Sequence, residues 1–215
     1  MTKIWLVRHG EAHVNQARAD GLVHVVDEHG LTDRGIEQAE LLRERLTKDA
    51  DVRPDIIISS TYARASQTAA IAASDLGSPI IEDDGVQEWR LGADAVGITL
   101  DEALATWERV YAGIGHDDRL SPQTETHNEF IARVDSALWA IAKEHEGKEI
   151  IVFTHGGVVG RSFTTFLGLP HFAALGGVRP RHTALTEWTL VEDFGQPAWV
   201  LARYNDATHL QSQSP

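Results

Sequence analysis

Arg8-His9-Gly10-Glu11 follows a short apolar run, Ile4-Trp5-Leu6-Val7, and two more apolar runs end in residues of the same chemical kind. Ile56-Ile57-Ile58 leads through Ser59-Ser60-Thr61 to Arg64, and Ile150-Ile151-Val152-Phe153 ends in Thr154-His155-Gly156-Gly157. Arginine forks grip phosphate oxygens two at a time. Gly10 permits close backbone approach, and a helix starting at Gly156-Gly157 turns free N–H groups towards an anion. Taken singly, Arg8 and Arg64 read as surface ion-pair partners and His155 as a capping residue. Jointly, two arginines and two histidines at three run ends point to one cationic crevice that binds phosphate.

The elements that must position these residues alternate along the chain. The three runs are β-branched, do not alternate with polar residues, and read as strands buried on both faces of a parallel sheet. Helical patterns separate them: Leu31 to about Lys48 with Thr32 as N-cap, Tyr62 to about Leu76, Glu125 to about His145, and Gly157 to Leu167. Strand and helix in alternation predict an α/β, three-layer α/β/α sandwich with a mostly parallel central sheet. In such sheets ligands bind beyond the carboxyl ends of the strands, where the three runs place their polar residues. Thr186–Val191 and Trp199–Tyr204 read as two late strands. Residues 85–122 read as an irregular, pocket-lining excursion from one domain spanning 1–215. Trp5, Leu138 and Trp139 are expected in the core, and the tail from His209 is expected to fray.

Composition narrows the function classes. The 215 residues are 42% hydrophobic and 24% charged, in the range of ordinary globular chains. A net charge of −13 argues against a nucleic-acid or anionic-membrane surface but leaves room for a local cationic cleft. The lack of cysteine excludes disulfides, thiolate metal sites and cysteine nucleophiles. The first residues are too soon charged for a signal peptide, and no apolar run nears the ~18 residues of a membrane span, so a cytoplasmic protein is expected. The eleven histidines show no H-E-x-x-H spacing, and no metal site is expected from them. His13, His24, His29, His116, His127, His145, His171 and His209 read as surface residues, with His24 and His29 as candidates for the pocket mouth.

Arg8-His9-Gly10-Glu11, Leu31-Thr32-x-x-Gly35-x-x-Gln38-Ala39, Ser59-Ser60-Thr61-Tyr62-Ala63-Arg64-Ala65-Ser66-Gln67-Thr68-Ala69 and Thr154-His155-Gly156-Gly157 together resemble the histidine phosphatase superfamily. This is the phosphoglycerate-mutase-like group, branch 1 of the histidine acid phosphatase clan, and order and spacing agree from residue 3 to about 210. The resemblance implies that His9 attacks phosphorus and becomes phosphohistidine, while Arg8, Arg64 and His155 hold the phosphoryl oxygens. It adds Asn15 and Gly156 as phosphate contacts and Glu88 as the acid that protonates the leaving oxygen, with Glu11 as the alternative. His9 must be neutral to attack, and a protonated His155 would be a useful donor. Glu125 resembles the family's Gly-Glu-Ser element without its glycine and reads as structural or pocket-lining. His182-Thr183-Ala184 stands where the family often has Asn-Thr-Ser.

The implied activity is a phosphomonoesterase that needs neither cofactor nor metal and acts on a small phosphorylated substrate, with a homodimer as the candidate assembly. A cofactor-dependent phosphoglycerate mutase is the alternative; residues 98–122 lack the longer insertion and Arg-Ser-Tyr-type element expected of it. A non-catalytic phosphate-binding domain ranks last, because the nucleophile, both arginines and the second histidine are all present. The residues that shape the leaving-group pocket, in 16–30, 89–125 and near 176–182, are too mixed to name the substrate.

Overall fold

The computed structural model describes residues 1–16, 30–48, 51–95, 98–170 and 177–213. At its centre lies a six-stranded sheet: β1 (Lys3–Arg8), β2 (Ile56–Ser59), β3 (Ile80–Glu82), β4 (Glu149–Thr154), β5 (Leu185–Asp193) and β6 (Gln196–Asp206). The spatial order is β3-β2-β4-β1-β5-β6. The first four strands in that order run parallel, β5 is antiparallel to β1, and β6 is antiparallel to β5. Alternate residues of the parallel strands face opposite layers. Ile4, Leu6, Ile150 and Val152 pack on one side with Val134, Leu138 and Val159, from α5 (His127–Glu144) and α6 (Gly156–Leu167). Trp5, Val7, Ile151 and Phe153 pack on the other with Leu42, Leu46 and Ala69, from α2 (Asp33–Lys48) and α3 (Ala63–Ala72). The expected α/β/α sandwich is present, and both faces being covered explains the unbroken apolar runs. A one-turn helix, α1 (His13–Gln16), follows β1.

Strand register brings the polar ends together. Arg8 pairs with Thr154 across β1 and β4, and Ser59 pairs with Phe153 across β2 and β4. The pairing continues one residue beyond the strands, where His9 N–H donates to Thr154 O and Ser60 N–H to Phe153 O, each at 2.9 Å. His9, Ser60 and His155 therefore leave the sheet side by side. Thr32 caps α2 as expected, accepting from Gly35 N at 3.1 Å. Thr126 caps α5 in a reciprocal box with Glu129.

Several expectations need correction. The stretch 85–122 contains a regular helix, α4 (Leu100–Tyr111), opened by a capping box between Thr99 and Glu102. The edge strand β3 was not anticipated, and the tail forms a 3-10 helix over Thr208–Gln213. Trp139 is 47% exposed, because it lies against Phe166 and Trp199 at the edge of the sheet and not beneath it. Among the described residues, no helix is long and apolar enough to cross a membrane.

Two glycines set how closely α2 approaches the turn after β1. A Cβ on Gly10 would stand 2.6 Å from Gly35 O, and one on Gly35 would be driven into the Glu11 carbonyl. Gly35→Ala is therefore expected to cost roughly 1–3 kcal/mol through overpacking, lowering the melting temperature by several degrees. Thermal denaturation followed by circular dichroism checks this, and an unchanged midpoint would contradict the close-packing argument.

Candidate active site

The turn after β1 is held from several directions by its own motif partners. Gly10 N–H donates to Thr68 Oγ1 at 3.0 Å, and Glu11 N–H donates to Gln38 Oε1 at 2.8 Å. Leu31 N–H donates to Gln67 Oε1, and Thr32 N–H to Glu11 O. The polar residues of the second and third motifs are thus the scaffold of the first. Within this scaffold the His9 ring is 3% exposed. Its Nδ1 lies 2.7 Å from Gly10 O. A carbonyl only accepts, so Nδ1 carries the proton and Nε2 carries the lone pair. Arg64 Nε–H donates to that lone pair at 3.2 Å. Burial, then Arg64, with smaller contributions from Arg8 and His182, holds the His9 pKa well below its ordinary value. The ring is held neutral, with its one lone pair on Nε2.

His155 is fully buried, with its ring 5.2 Å from that of His9. Its Nε2 meets Ser60 Oγ at 2.8 Å, and Ser60 Oγ also accepts from Tyr62 N. When the serine hydroxyl donates to Nε2, the imidazole proton sits on Nδ1, which is buried and has no partner among the described residues. That atom is then a buried N–H with donor capacity to spare. The two histidines do not take opposite protonation states as expected. Burial, followed by Arg64, His9, Arg133 and Arg8, pushes the His155 pKa well below the usual value, so both rings are neutral in the free protein. Arg64 lies over the Tyr62 ring at 5.0 Å, and Arg8 donates to Pro180 O at 2.7 Å while resting against Gly156.

A third ring completes the group. His182 Nδ1–H donates to His9 O at 3.0 Å, and its ring lies 5.6 Å from that of His9. Burial and Arg8 lower its pKa to about 4. The next residue, Thr183, is β-branched yet has φ 56, a left-handed conformation that costs free energy. Thr183 N–H donates to Arg8 O, and its hydroxyl donates to His182 O and meets His209 Nε2. Sequence reasoning assigned His182 only to the border of the pocket. The family-pattern mismatch at 182–184 was the available signal.

Glu88 lies at the N-terminus of α6. Its Oε2 accepts from Gly157 N–H at 2.9 Å and its Oε1 accepts from Trp89 N–H at 3.1 Å. A side chain on Gly157 would collide with this carboxylate. Glu11, the alternative acid, accepts from the Thr32 hydroxyl at 3.0 Å and faces the start of α2. Asn15 is exposed, and its side-chain oxygen accepts from Ala12 N. Nothing ties Asn15 to the His9 group among the described residues. His24 and His29 lie outside those residues. His127, expected at the surface, is 4% exposed, against His116 Nδ1 at 2.9 Å; His209 is half-buried, and burial lowers its pKa to about 4.

Residues 4–207 match the family described as histidine phosphatase superfamily (branch 1). The chain belongs to that superfamily. A probable phosphoglycerate mutase of Enterobacter is 30% identical to this histidine phosphatase, over 99% of this chain and 96% of its own length. A metal-independent phosphoserine phosphatase of Arabidopsis thaliana is 29% identical over 99% of this chain and 84% of its own. The phosphoserine phosphatase of Entamoeba histolytica, solved with phosphoserine, shares the fold at TM-score 0.76 and 24% identity, covering 98% of this chain and 100% of that one.

The buried neutral imidazoles of this histidine phosphatase make its stability depend on pH. His9, His155, His182 and His209 all have folded-state pKa values below their unfolded value of about 6.5. The unfolded chain thus binds more protons, so their contribution is complete above about pH 6.5 and is lost as pH falls towards the folded values. The melting temperature is expected to fall steadily from pH 6.5 towards 4. His209→Asn should shallow that fall. A flat melting profile over this range would show that the rings are not buried neutral.

Proposed function

We propose that this enzyme hydrolyses a small phosphomonoester in two in-line steps through a phosphohistidine on His9. The observation that carries the reading is the single Nε2 lone pair, fixed by Gly10 O and met by Arg64, with the buried His155 ring 5.2 Å from that of His9. Phosphoryl transfer is chiefly positioning and charge stabilisation, and fixed guanidinium groups in a water-poor pocket supply both without metal.

The incoming phosphate draws the Arg64 guanidinium from His9 Nε2 onto its own oxygens, which frees the lone pair. Nε2 then attacks phosphorus, and the bond to the ester oxygen breaks. Glu88, in its acid form, gives that oxygen a proton and the alcohol leaves. In the second step the Glu88 carboxylate takes a proton from water as the water attacks the phosphohistidine. Inorganic phosphate departs, and His9 regains its neutral lone pair. Arg8 and His155 hold the equatorial oxygens throughout, joined by Gly156 N–H at the start of α6; Asn15, whose side-chain oxygen is taken by Ala12 N–H, has only its amide N–H to offer the phosphate. The net charge of −13 favours a small substrate over a nucleic acid, and a cytoplasmic location is part of the same reading.

A second reading is the phosphoglycerate mutase. Relatives named probable phosphoglycerate mutases match almost end to end at this length, so a short middle segment does not separate the two activities. His9→Ala is expected to lower hydrolysis of an aryl phosphate by at least ~10⁴-fold, the scale of losing a nucleophile. Prolonged chelation of divalent metals should leave the wild-type rate unchanged. Conversion of 3- to 2-phosphoglycerate, primed with bisphosphoglycerate, should be negligible beside hydrolysis; the reverse ratio would favour the mutase. Residual activity of His9→Ala near the wild-type rate would overturn both readings.

A further inference from the structure

Glu88 follows a short 3-10 helix (Asp84–Val86) and has no regular structure of its own, yet the carbonyl groups from Gly85 to Glu88 are bonded one after another by side chains from elsewhere. Arg133, on α5, donates from Nη1 to Gly85 O at 2.9 Å and Gln87 O at 3.0 Å, and from Nη2 to Glu88 O at 3.2 Å. Thr154, at the end of β4, donates to Val86 O at 2.6 Å. The rest of the Arg133 fork meets Glu125, Nε to Oε1 and Nη2 to Oε2, both at 2.7 Å. Five interactions thus use the full donor set of one guanidinium.

Glu125 closes the other side. Its Oε2 accepts from Arg90 N–H at 3.1 Å, its own N–H donates to Arg90 O at 2.9 Å, and its carbonyl accepts from Trp89 Nε1–H. The pair is largely buried, with side chains 13% and 9% exposed. A surface ion pair gives little orientation, but a buried fork bonded to three backbone carbonyls within four residues removes the freedom of the segment it holds. Phe130, on the same helix as Arg133, packs under both the guanidinium and the Trp89 ring. The Glu88 backbone is gripped on both sides while its carboxylate reaches Gly157 N–H.

We infer that Arg133 and Glu125 form a clamp whose task is to hold the Glu88 carboxyl at the leaving oxygen, making both of them positioning residues for proton transfer. This rests on Glu88 being the general acid. Neither residue touches the phosphoryl group, and their effect should appear only where the leaving oxygen needs a proton. Lysine at 133 keeps the charge but has no fork, and glutamine at 125 keeps the shape but loses one of the two carboxylate acceptors.

The test compares kcat/KM for phenyl phosphate and dinitrophenyl phosphate, esters of similar shape whose leaving oxygens differ greatly in basicity. General acid catalysis is worth ~10²–10⁴-fold, and the dinitrophenolate leaves without it. Arg133→Lys and Glu125→Gln are each expected to lower the phenyl-to-dinitrophenyl ratio by ~30-fold or more. The ratio does not depend on what fraction of a sample is folded, so partial misfolding cannot imitate this result. Glu88→Gln must give the same selective loss, and Arg133→Lys added to Glu88→Gln should then lower the ratio no further.

An unchanged ratio for Glu88→Gln would remove the general-acid reading itself. A selective loss in Glu88→Gln, with both clamp variants keeping the wild-type ratio, would overturn the clamp alone. A further drop of the ratio in the double variant would also overturn it, because Arg133 would then act apart from Glu88.

Discussion

The structure is organised around the cost of keeping an uncharged imidazole beside guanidinium groups in a place that water does not reach. Burial and Arg64 both oppose protonation of His9, and the same two causes lead at His155. Each ring is thereby held neutral, and in the proposed reading the cationic field around them is one that an entering phosphate dianion satisfies. The remaining architecture keeps these groups from relaxing apart. Register between β1, β4 and β2 sets the three strand ends level, and the glycine contact between the first turn and α2 locks that level in place. Thr183 adopts a costly backbone conformation where His182 braces the His9 carbonyl. Strain beside a reactive group is tolerated where the surroundings determine it from several sides.

The acid side of the site is built differently. His9, Ser60 and His155 come from strand ends, whose positions the sheet dictates. Glu88 comes from irregular chain, and its position is dictated by side chains: Arg133 and Thr154 on its carbonyls, Glu125 on its neighbours, Gly157 on its carboxylate. The α6 N-terminus serves both halves, since Gly156 lies against Arg8 while Gly157 receives Glu88. One helix start thus connects the phosphate pocket to the proton donor.

The strand ends were legible because apolar runs and the polar residues that end them are local in sequence. The convergence of Arg8, His9, Arg64 and His155 then followed from the rule that parallel strands present one common edge. What was missed depends on distant partners. Arg133 looks like any charged residue on an amphipathic helix, and its acceptors are backbone carbonyls, which no sequence pattern displays. His127 and His209 read as surface because a single histidine carries no sign of what packs on it. The α4 helix did have a local mark, Thr99 and Glu102 at capping-box spacing, but neighbouring glycines disguised it. The β3 strand is three exposed residues at an edge and offers no periodicity at all.

The central claim is that chemistry occurs at one atom, His9 Nε2, because Gly10 O holds the proton on the other nitrogen. Trapping the phosphorylated enzyme by rapid alkaline quench, then identifying the phosphohistidine isomer by phosphorus NMR and the peptide by mass spectrometry, tests it directly. The account predicts phosphate on residue 9, bonded through Nε2 and labile to acid. Phosphate on Nδ1, on His155 or His182, or on a carboxylate would contradict it.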